Sequence, residues 1–376
     1  WSLRKSADGR NDLSIEGRGF GGLRESADVL DACNSGTTMR LLAGLLAGRP
    51  FLSVLTGDES LRSRPMERII VPLREMGAQV WAREGDTLAP LAIRGGHLRG
   101  IRHVSTVASA QVKSAILLAG LQAEGETVIE EPVRSRDHSE RMLRAMGAQL
   151  EEAGGALCLT RRANSLKPLG IRIPGDMSAA AFWLVAGALH PDAEISLLGV
   201  GLNPTRTGLL DVLREMGANV TVDNVHTEGG EPVGDLVVRS SKLRGMTVEG
   251  PLAVRLIDEV PVLALAAALA RGRTVVRDIA ELRVKESDRI STTVQELRRL
   301  GARIQADGDA LVIEGTDRLK GAACDSHGDH RLAMTLAVAG AVAEGSTAID
   351  GADASDVSYP GFWQHLEQLG AGVESS

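Results

Sequence analysis

PLREMGAQV (72–80), MLRAMGAQL (142–150), VLREMGANV (212–220), ELRRLGARI (296–304) and HLEQLGAGV (365–373) are five copies of one motif. Their glycines, Gly77, Gly147, Gly217, Gly301 and Gly370, recur at spacings of 70, 70, 84 and 69 residues. Leucines and methionines three to four apart predict a helix with one apolar face. The glycine sits where such a helix ends in a left-handed residue, and a strand follows. A second motif alternates with the first: LLAGLLAGRPFLSVLTG (41–57), ILLAGLQAEGETVIEEP (116–132), FWLVAGALHPDAEISLLG (182–199), LALAAALARGRTVVRDI (263–279) and LAVAGAVAEGSTAIDG (336–351). Each reads as an Ala-rich helix that is apolar almost all round, and hence buried, then a turn and a β-branched strand.

One unit therefore spans about 70 residues and runs helix, strand, helix, strand, short turn, strand. The closing hairpins are legible in QVWAREGDTLAPLAIRGG (79–96) and RIQADGDALVIEG (303–315), and WSLRKSADGRNDLSIEGRG (1–19) resembles them. Five complete units and one tail imply a sixth unit whose helical half is absent. Two sets of three make two similar domains, 1–173 and 174–376, joined near Ile173–Gly175. One continuous solenoid is the alternative, but solenoid repeats are generally shorter than about 50 residues.

The 376 residues are about two and a half times the roughly 150 expected of one domain. With 43% apolar and 24% charged residues the composition is that of a globular protein, which excludes disorder. The longest apolar run, Val260 to Ala270, contains Pro261 and falls short of the ~20 residues of a membrane helix. No basic-then-apolar leader opens the sequence. Cys33, Cys158 and Cys324 form no CxxC and cannot all pair, which points to a reducing, cytoplasmic setting. A net charge of -7 and 2% aromatics argue against a nucleic-acid partner. GRGFGG (17–22) leads into LRESAD rather than an apolar helix, a poor dinucleotide fingerprint, and neither a P-loop nor a metal-ligand spacing is present.

Polar residues collect just before the buried helices: NSGTTMR (34–40), ASAQVKSA (108–115), GDMSAAAF (175–182), LIDEVP (256–261) and HGDHRLAM (327–334). Helix capping accounts for Asn34 or Asp176. It does not account for Arg40, Lys113 or Arg331, cations that oppose the helix dipole. The second helices repeat the anomaly in SLRSRPMER (60–68), VRSRDHSER (133–141), NPTRTG (203–208) and RVKESDR (283–289). Any one of these arginines reads as solvated surface charge. Taken together at converging helix starts, they make an anion site for phosphates and carboxylates. Asp258 and Glu286 lie inside the same basic segments, either as ion-pair partners or as general acid/base groups. His330, beside Arg331, reads more readily as a capping residue than as a catalytic one.

CNSGTTMR (33–40), RPMERIIVPLREMGAQV (64–80), ASAQVKSAILLAGL (108–121), SRDHSERML (135–143), NPTRTG, LIDEVPVLA (256–264), ELRVKESDRI (281–290) and GDHRLAM (328–334) closely resemble the 5-enolpyruvylshikimate-3-phosphate synthase family, the 3-phosphoshikimate 1-carboxyvinyltransferases. The resemblance covers nearly the whole chain. It implies an α/β (α+β) fold of two similar domains, each of three βαβαββ units in an inside-out α/β barrel, with the first unit incomplete here. In that family the domains close over a cleft into which helix N-termini point. The implied reaction moves the enolpyruvyl group of phosphoenolpyruvate to the 5-hydroxyl of shikimate-3-phosphate and releases phosphate, without metal or organic cofactor. A cytoplasmic monomer with these two small anions as its partners, and neither membrane nor nucleic acid, completes the expectation.

Matched position by position, the resemblance assigns Ser109, Ala110 and Gln111 to shikimate-3-phosphate, with Arg136 and Lys285 near it. It assigns Gly36, Arg64, Gln111, Arg289 and Arg331 to phosphoenolpyruvate, and counts Asn34 and Thr37 among the substrate contacts. Asp258 matches the base on the 5-hydroxyl. Glu286 matches a residue that moves protons at the methylene carbon, with His330 close by. The inhibitor glyphosate occupies the phosphoenolpyruvate site in this family, and Gly36, lacking Cβ, leaves room for it.

Three departures qualify the match. The family's PGDKSxSHR segment does not occur in the sequence, which starts at Trp1, so an N-terminal truncation and a poorly active fragment are expected. Cys33 stands where the family usually has Gly, which strains the loop if positive φ is needed. VSYP (357–360) follows another branch of the family near its C-terminus. The rivals are the sister transferase acting on UDP-N-acetylglucosamine, disfavoured by SAQVKSA and RVKESDR, and a catalytically impaired fragment that only binds anionic ligands.

Overall fold

The computed structural model describes residues 2–5, 11–160 and 166–374. The chain forms two compact units, one from the chain up to Glu131 with Ser139–Gly170, the other from Pro132–His138 with Ile171 onward. In chain order the repeat's helices are α1 (Gly36–Leu46), α2 (Glu67–Glu75), α3 (Ala110–Gly120), α4 (His138–Ala145) and α5 (Met177–Leu189). They continue as α6 (Gly208–Glu215), α7 (Val260–Ala268), α8 (Arg289–Arg299), α9 (His330–Val342) and α10 (Phe362–Gln368). Odd-numbered helices are the Ala-rich ones. In α7 all of Val260–Ala268 is buried, as an all-round apolar surface requires. Even-numbered helices end on the repeat glycines, which have φ of 109, 90, 96, 90 and 98° at Gly77, Gly147, Gly217, Gly301 and Gly370. That left-handed conformation costs glycine nothing, so one residue type recurs at every helix exit.

Three units build sheets of identical topology. In the first, Leu30–Asp31 lies parallel to Leu52–Thr56, which pairs antiparallel with Leu88–Arg94, which pairs antiparallel with Gln79–Ala82. Arg102–Val104, Thr127–Glu130, Ala156–Leu159 and Leu150–Ala153 repeat that order. So do Thr247–Val248, Arg273–Val276, Ala310–Glu314 and Arg303–Asp307. The parallel pair is the βαβ crossover over a buried helix. Its leading strand is two or three residues long, too short for periodicity to reveal. In the unit that lies between the second and third of these in sequence, Glu194–Gly201, Glu231–Arg239 and Asn219–Glu228 form three strands, and a single Gly175–Val200 bridge replaces the leading one. Ser2–Lys5 and Asn11–Ser14 pair antiparallel, as the hairpin reading of the opening residues expects.

Each of the two compact units carries its own apolar core, one from Ala32 to Leu159 and one from Met177 to Leu366. Helices α1 and α3 pack in backbone contact: a Cβ on Gly44 would lie 2.2 Å from the Ala115 carbonyl oxygen. Gln111 and Thr37 bond near the helix starts, and Gln122 donates to the Leu45 carbonyl near their ends. The two helices therefore run parallel, with their N-termini side by side. No helix among the described residues is long and apolar enough to cross a membrane.

Candidate functional site

In the first unit the polar residues knit the starts of α1 and α3 together. Ser35 is the N-cap of α1, its Oγ accepting from Thr38 N at 3.1 Å. Asn34, one residue earlier, is not the cap. Its Nδ2 donates to Asp58 Oδ2 at 2.7 Å, and its Oδ1 accepts from Arg64 Nη2 at 2.9 Å. Arg64 Nη2 also reaches Ser60 Oγ at 3.0 Å. Arg40 spans the two helices, donating from Nη1 to Gln111 Oε1 and from Nη2 to the Pro65 carbonyl at 2.9 Å. Gln111 returns a bond from Nε2 to Thr37 Oγ1 at 2.8 Å. Ser109 caps α3 through Val112 N, with Ala110 as the first helical residue. Gly36, Thr37, Arg64, Ser109, Ala110 and Gln111 thus belong to one neighbourhood.

Cys33 sits at φ 49°, a left-handed backbone that a side chain adopts at a cost of about 1–2 kcal/mol. Two bonds hold it there: its N–H donates to Asp31 Oδ1 at 2.8 Å, and its carbonyl accepts from Asp58 N at 2.9 Å. The concern raised by a non-glycine residue at this position is therefore physical.

Lys113 resolves differently. It is 3% exposed and forms ion pairs with Glu131 at 2.8 Å and Glu140 at 2.7 Å, both themselves shielded. Its place at a helix start reflects a buried triad joining α3, the residue that follows the next strand and α4.

The second unit gathers a larger cluster. Asp258 stands in a short 3-10 turn leading into α7. Its Oδ2 accepts from Arg136, and its Oδ1 lies 3.3 Å from Lys285 Nζ and 3.2 Å from Arg289 Nη1. Arg289, the first residue of α8, is 2% exposed. It also bonds Glu286 Oε2 at 2.5 Å and grips Asp329 through Nε at 2.7 Å and Nη2 at 3.2 Å. Asp329, fully buried, caps α9 by accepting from Arg331 N at 2.9 Å. His330 is the first residue inside that helix, so the capping role read for it belongs to Asp329. Arg206, Asp176, Ser178 and Glu259 continue the cluster. Asp176 caps α5, and Arg206 Nη2 lies 3.2 Å from Asp176 Oδ1.

Electrostatics follow from the crowding. Burial alone would raise the Asp258 pKa, but Lys285, Arg136, Arg331 and Arg289 outweigh it and hold the carboxyl well below the usual range. Burial likewise opposes ionisation of Asp329, and Arg289 overrides it. Burial, with repulsion from Arg331 and Arg289, pushes His330 down to about 4, so its imidazole is neutral near pH 7. Arg206 is lowered, first by burial and then by Arg136. The result is a set of ionised carboxylates and guanidiniums around one neutral histidine. Such a set can bind anions and move protons.

The structure brings together Arg136, Asp258, Lys285, Glu286, Arg289, His330 and Arg331 in the second unit. In the first it brings together Asn34, Gly36, Thr37, Arg64, Ser109, Ala110 and Gln111. Asp329 and Glu259 join the second cluster. Both lie in motifs already quoted, but a helix cap and a second carboxylate beside Asp258 carry no distinguishing spacing.

The EPSP synthase (3-phosphoshikimate 1-carboxyvinyltransferase) family model matches residues 3–366. A protein named 3-phosphoshikimate 1-carboxyvinyltransferase from Gloeobacter violaceus is 58% identical over 358 residues, covering 95% of this chain and 83% of the relative. One of the same name from Bacillus cytotoxicus is 52% identical over 359 residues, 96% of this chain and 84% of that one. A solved EPSP synthase structure from Acinetobacter baumannii superposes with a TM-score of 0.85 at 42% identity, over 98% of this chain and 84% of that one. With identity of this order over almost its entire described length, and with the repeated βαβαββ units that carry the site, the chain belongs to the EPSP synthase family.

Proposed function

We propose that the chain transfers the enolpyruvyl group of phosphoenolpyruvate to the 5-hydroxyl of shikimate-3-phosphate, releasing inorganic phosphate. The observation that carries this reading is the Asp258 environment: one ionised carboxylate held by Lys285, Arg136 and Arg289 at the start of a buried helix. Both substrates are polyanions, and such cations suit them. In the second unit, Arg136 and Lys285 attend shikimate-3-phosphate, and Arg289 and Arg331 attend phosphoenolpyruvate. In the first, Ser109, Ala110 and Gln111 serve shikimate-3-phosphate; Gly36, Arg64 and Gln111 serve phosphoenolpyruvate, with Asn34 and Thr37 contributing contacts.

The chemistry balances within these groups. The 5-hydroxyl oxygen attacks C2 of phosphoenolpyruvate as the methylene carbon gains a proton, giving a tetrahedral intermediate. Loss of that carbon's proton then expels phosphate as the C2–O bond to phosphorus's oxygen breaks. Asp258 takes the hydroxyl proton, and Glu286 moves the proton at the methylene carbon with His330 nearby. A carboxylate held by several cations is a weak base. Substrate anions that draw on Lys285 and Arg136 loosen that hold and make the carboxylate a better base.

The reading extends to a cytoplasmic monomer. Cys33, Cys158 and Cys324 are free thiols, as a reducing compartment allows.

Phosphate release from phosphoenolpyruvate tests the activity. It is expected only when shikimate-3-phosphate is present. Release driven instead by UDP-N-acetylglucosamine, or binding of shikimate-3-phosphate without turnover, would overturn the assignment.

A further inference from the structure

Glu259 follows Asp258 in sequence but faces a different set of partners. It is 2% exposed at the entry to α7. Its Oε1 accepts from Ser178 Oγ, in the first turn of α5, and lies 3.7 Å from both Arg206 Nη2 and Arg331 Nη1. Its Oε2 is buried and finds no hydrogen-bond partner among the described residues. A buried carboxylate with an unused oxygen is expensive unless its charge is needed. Here the need is visible. Arg206 also bonds Ser178 Oγ and Asp176 Oδ1, and Arg331 is the second residue of α9, so two guanidiniums and the starts of α5, α7 and α9 meet around this buried carboxylate. Like charges and like helix dipoles repel one another. One anion between the two arginines lets both stand close without splaying.

We infer that Glu259 is a positioning residue for the reaction: it holds the Arg331 guanidinium, braced against Arg206, where phosphoenolpyruvate is bound. This rests on the reading that Arg331 attends phosphoenolpyruvate. Glu259 acts through Arg331 and need not touch substrate. The 3.7 Å separations are ion-pair distances without a directed hydrogen bond. Charge, more than bond geometry, does the holding.

The test is a double-mutant cycle in steady-state kinetics. Glu259→Gln, which keeps the shape and the Ser178 contact but loses the charge, is expected to raise KM for phosphoenolpyruvate about tenfold with kcat changed less than threefold. Glu259→Asp, which keeps the charge one methylene back, is expected to stay within about threefold of the parent KM. In an Arg331→Gln background, which by itself raises that KM, Glu259→Gln should add less than twofold. Should Glu259→Gln fail to fold, Glu259→Asp carries the cycle, its smaller effect again vanishing beside Arg331→Gln. Independent, multiplying effects of the two substitutions would reduce Glu259 to a structural residue and overturn the proposal, as would an unchanged KM in Glu259→Gln. If Arg331→Gln itself leaves KM for phosphoenolpyruvate unchanged, the reading of the site fails and the proposal falls with it.

Discussion

Lys113 and Arg289 are both buried cations near the start of a repeat helix, 3% and 2% exposed. Around Lys113 the partners are Glu131 and Glu140, with side chains 10% and 5% exposed, and the charges are sealed together. Around Arg289 the partners are Asp258, Glu286 and Asp329, and Asp258 reaches on to Lys285 and Arg136, whose side chains are 30% and 33% exposed. The side chains of the first cluster are all nearly out of solvent; the second has cations on its rim that a solute can meet. Burial of the central cation therefore does not separate the two clusters. What separates them is the exposure of the outer members: at most 10% around Lys113, and 30% and 33% at Lys285 and Arg136.

That difference is breakable by substitution, and the largest effect is expected at Asp258. Asp258→Asn keeps the shape and should preserve substrate affinity approximately, while lowering turnover about 10²- to 10⁴-fold, the usual worth of acid/base help. Parent-like kcat would make Asp258 an ion-pair partner only. Lys113→Met should act on stability, costing about 3–5 kcal/mol because two shielded carboxylates lose a buried cation paired with both. Denaturant midpoints measure it, with KM values expected to hold in the folded enzyme.

His330 gives an effect of up to about 3 kcal/mol, since its pKa falls from 6.5 to about 4 on folding. Between those values the unfolded chain holds a proton that the folded one refuses, so stability drops as pH falls from 6.5 to 4. The depressed Asp258 and Asp329 act in a lower window: they add stability above about pH 3.8, which is lost as pH falls through their folded values. His330→Asn should flatten the slope between pH 6.5 and 4 and leave the steeper acid loss in place. An unaltered slope would show that His330 does not stay neutral.

The smallest effect is at Gly36. A Cβ there would lie 2.8 Å from Arg40 Nη1 and 3.6 Å from Leu61 Cδ1. Arg40 must then shift, and with it the Gln111 side chain it holds. Gly36→Ala is expected to raise the glyphosate inhibition constant more than the Michaelis constant for phosphoenolpyruvate, by roughly 5- to 150-fold, the 1–3 kcal/mol of a crowded methyl group. Equal rises in both constants would mean that Gly36 does not discriminate between them.

Much of this was legible in the primary structure because the fold repeats. Five glycines recurring every 69 to 84 residues mark every even-numbered helix exit, and Ala-rich runs mark the buried helices. Leading strands such as Leu30–Asp31 and Thr247–Val248 were not legible by period, since two residues display none. Cations that oppose the helix dipole are legible as candidates; Arg40 and Arg331 lie in the two polar clusters, whereas Lys113 is tied into a buried ion-pair triad whose counter-charges are 18 and 27 positions away. Asn34 was read as a cap although Ser35 performs that task, because either residue type suits the position. Asp329 and Glu259 stayed hidden for a similar reason: their significance is in what they touch.

The cations on the open rim of the second unit's cluster are expected to serve substrate, and calorimetric titration of shikimate-3-phosphate into the parent protein and into Lys285→Met measures that. Lys285 is 3.3 Å from Asp258, so its loss removes a point charge facing an anion while leaving Arg136 and Arg289 on that carboxylate. Binding to the parent and at least tenfold weaker binding to Lys285→Met are expected. Equal dissociation constants for the two proteins would show that the rim cations do not bind substrate.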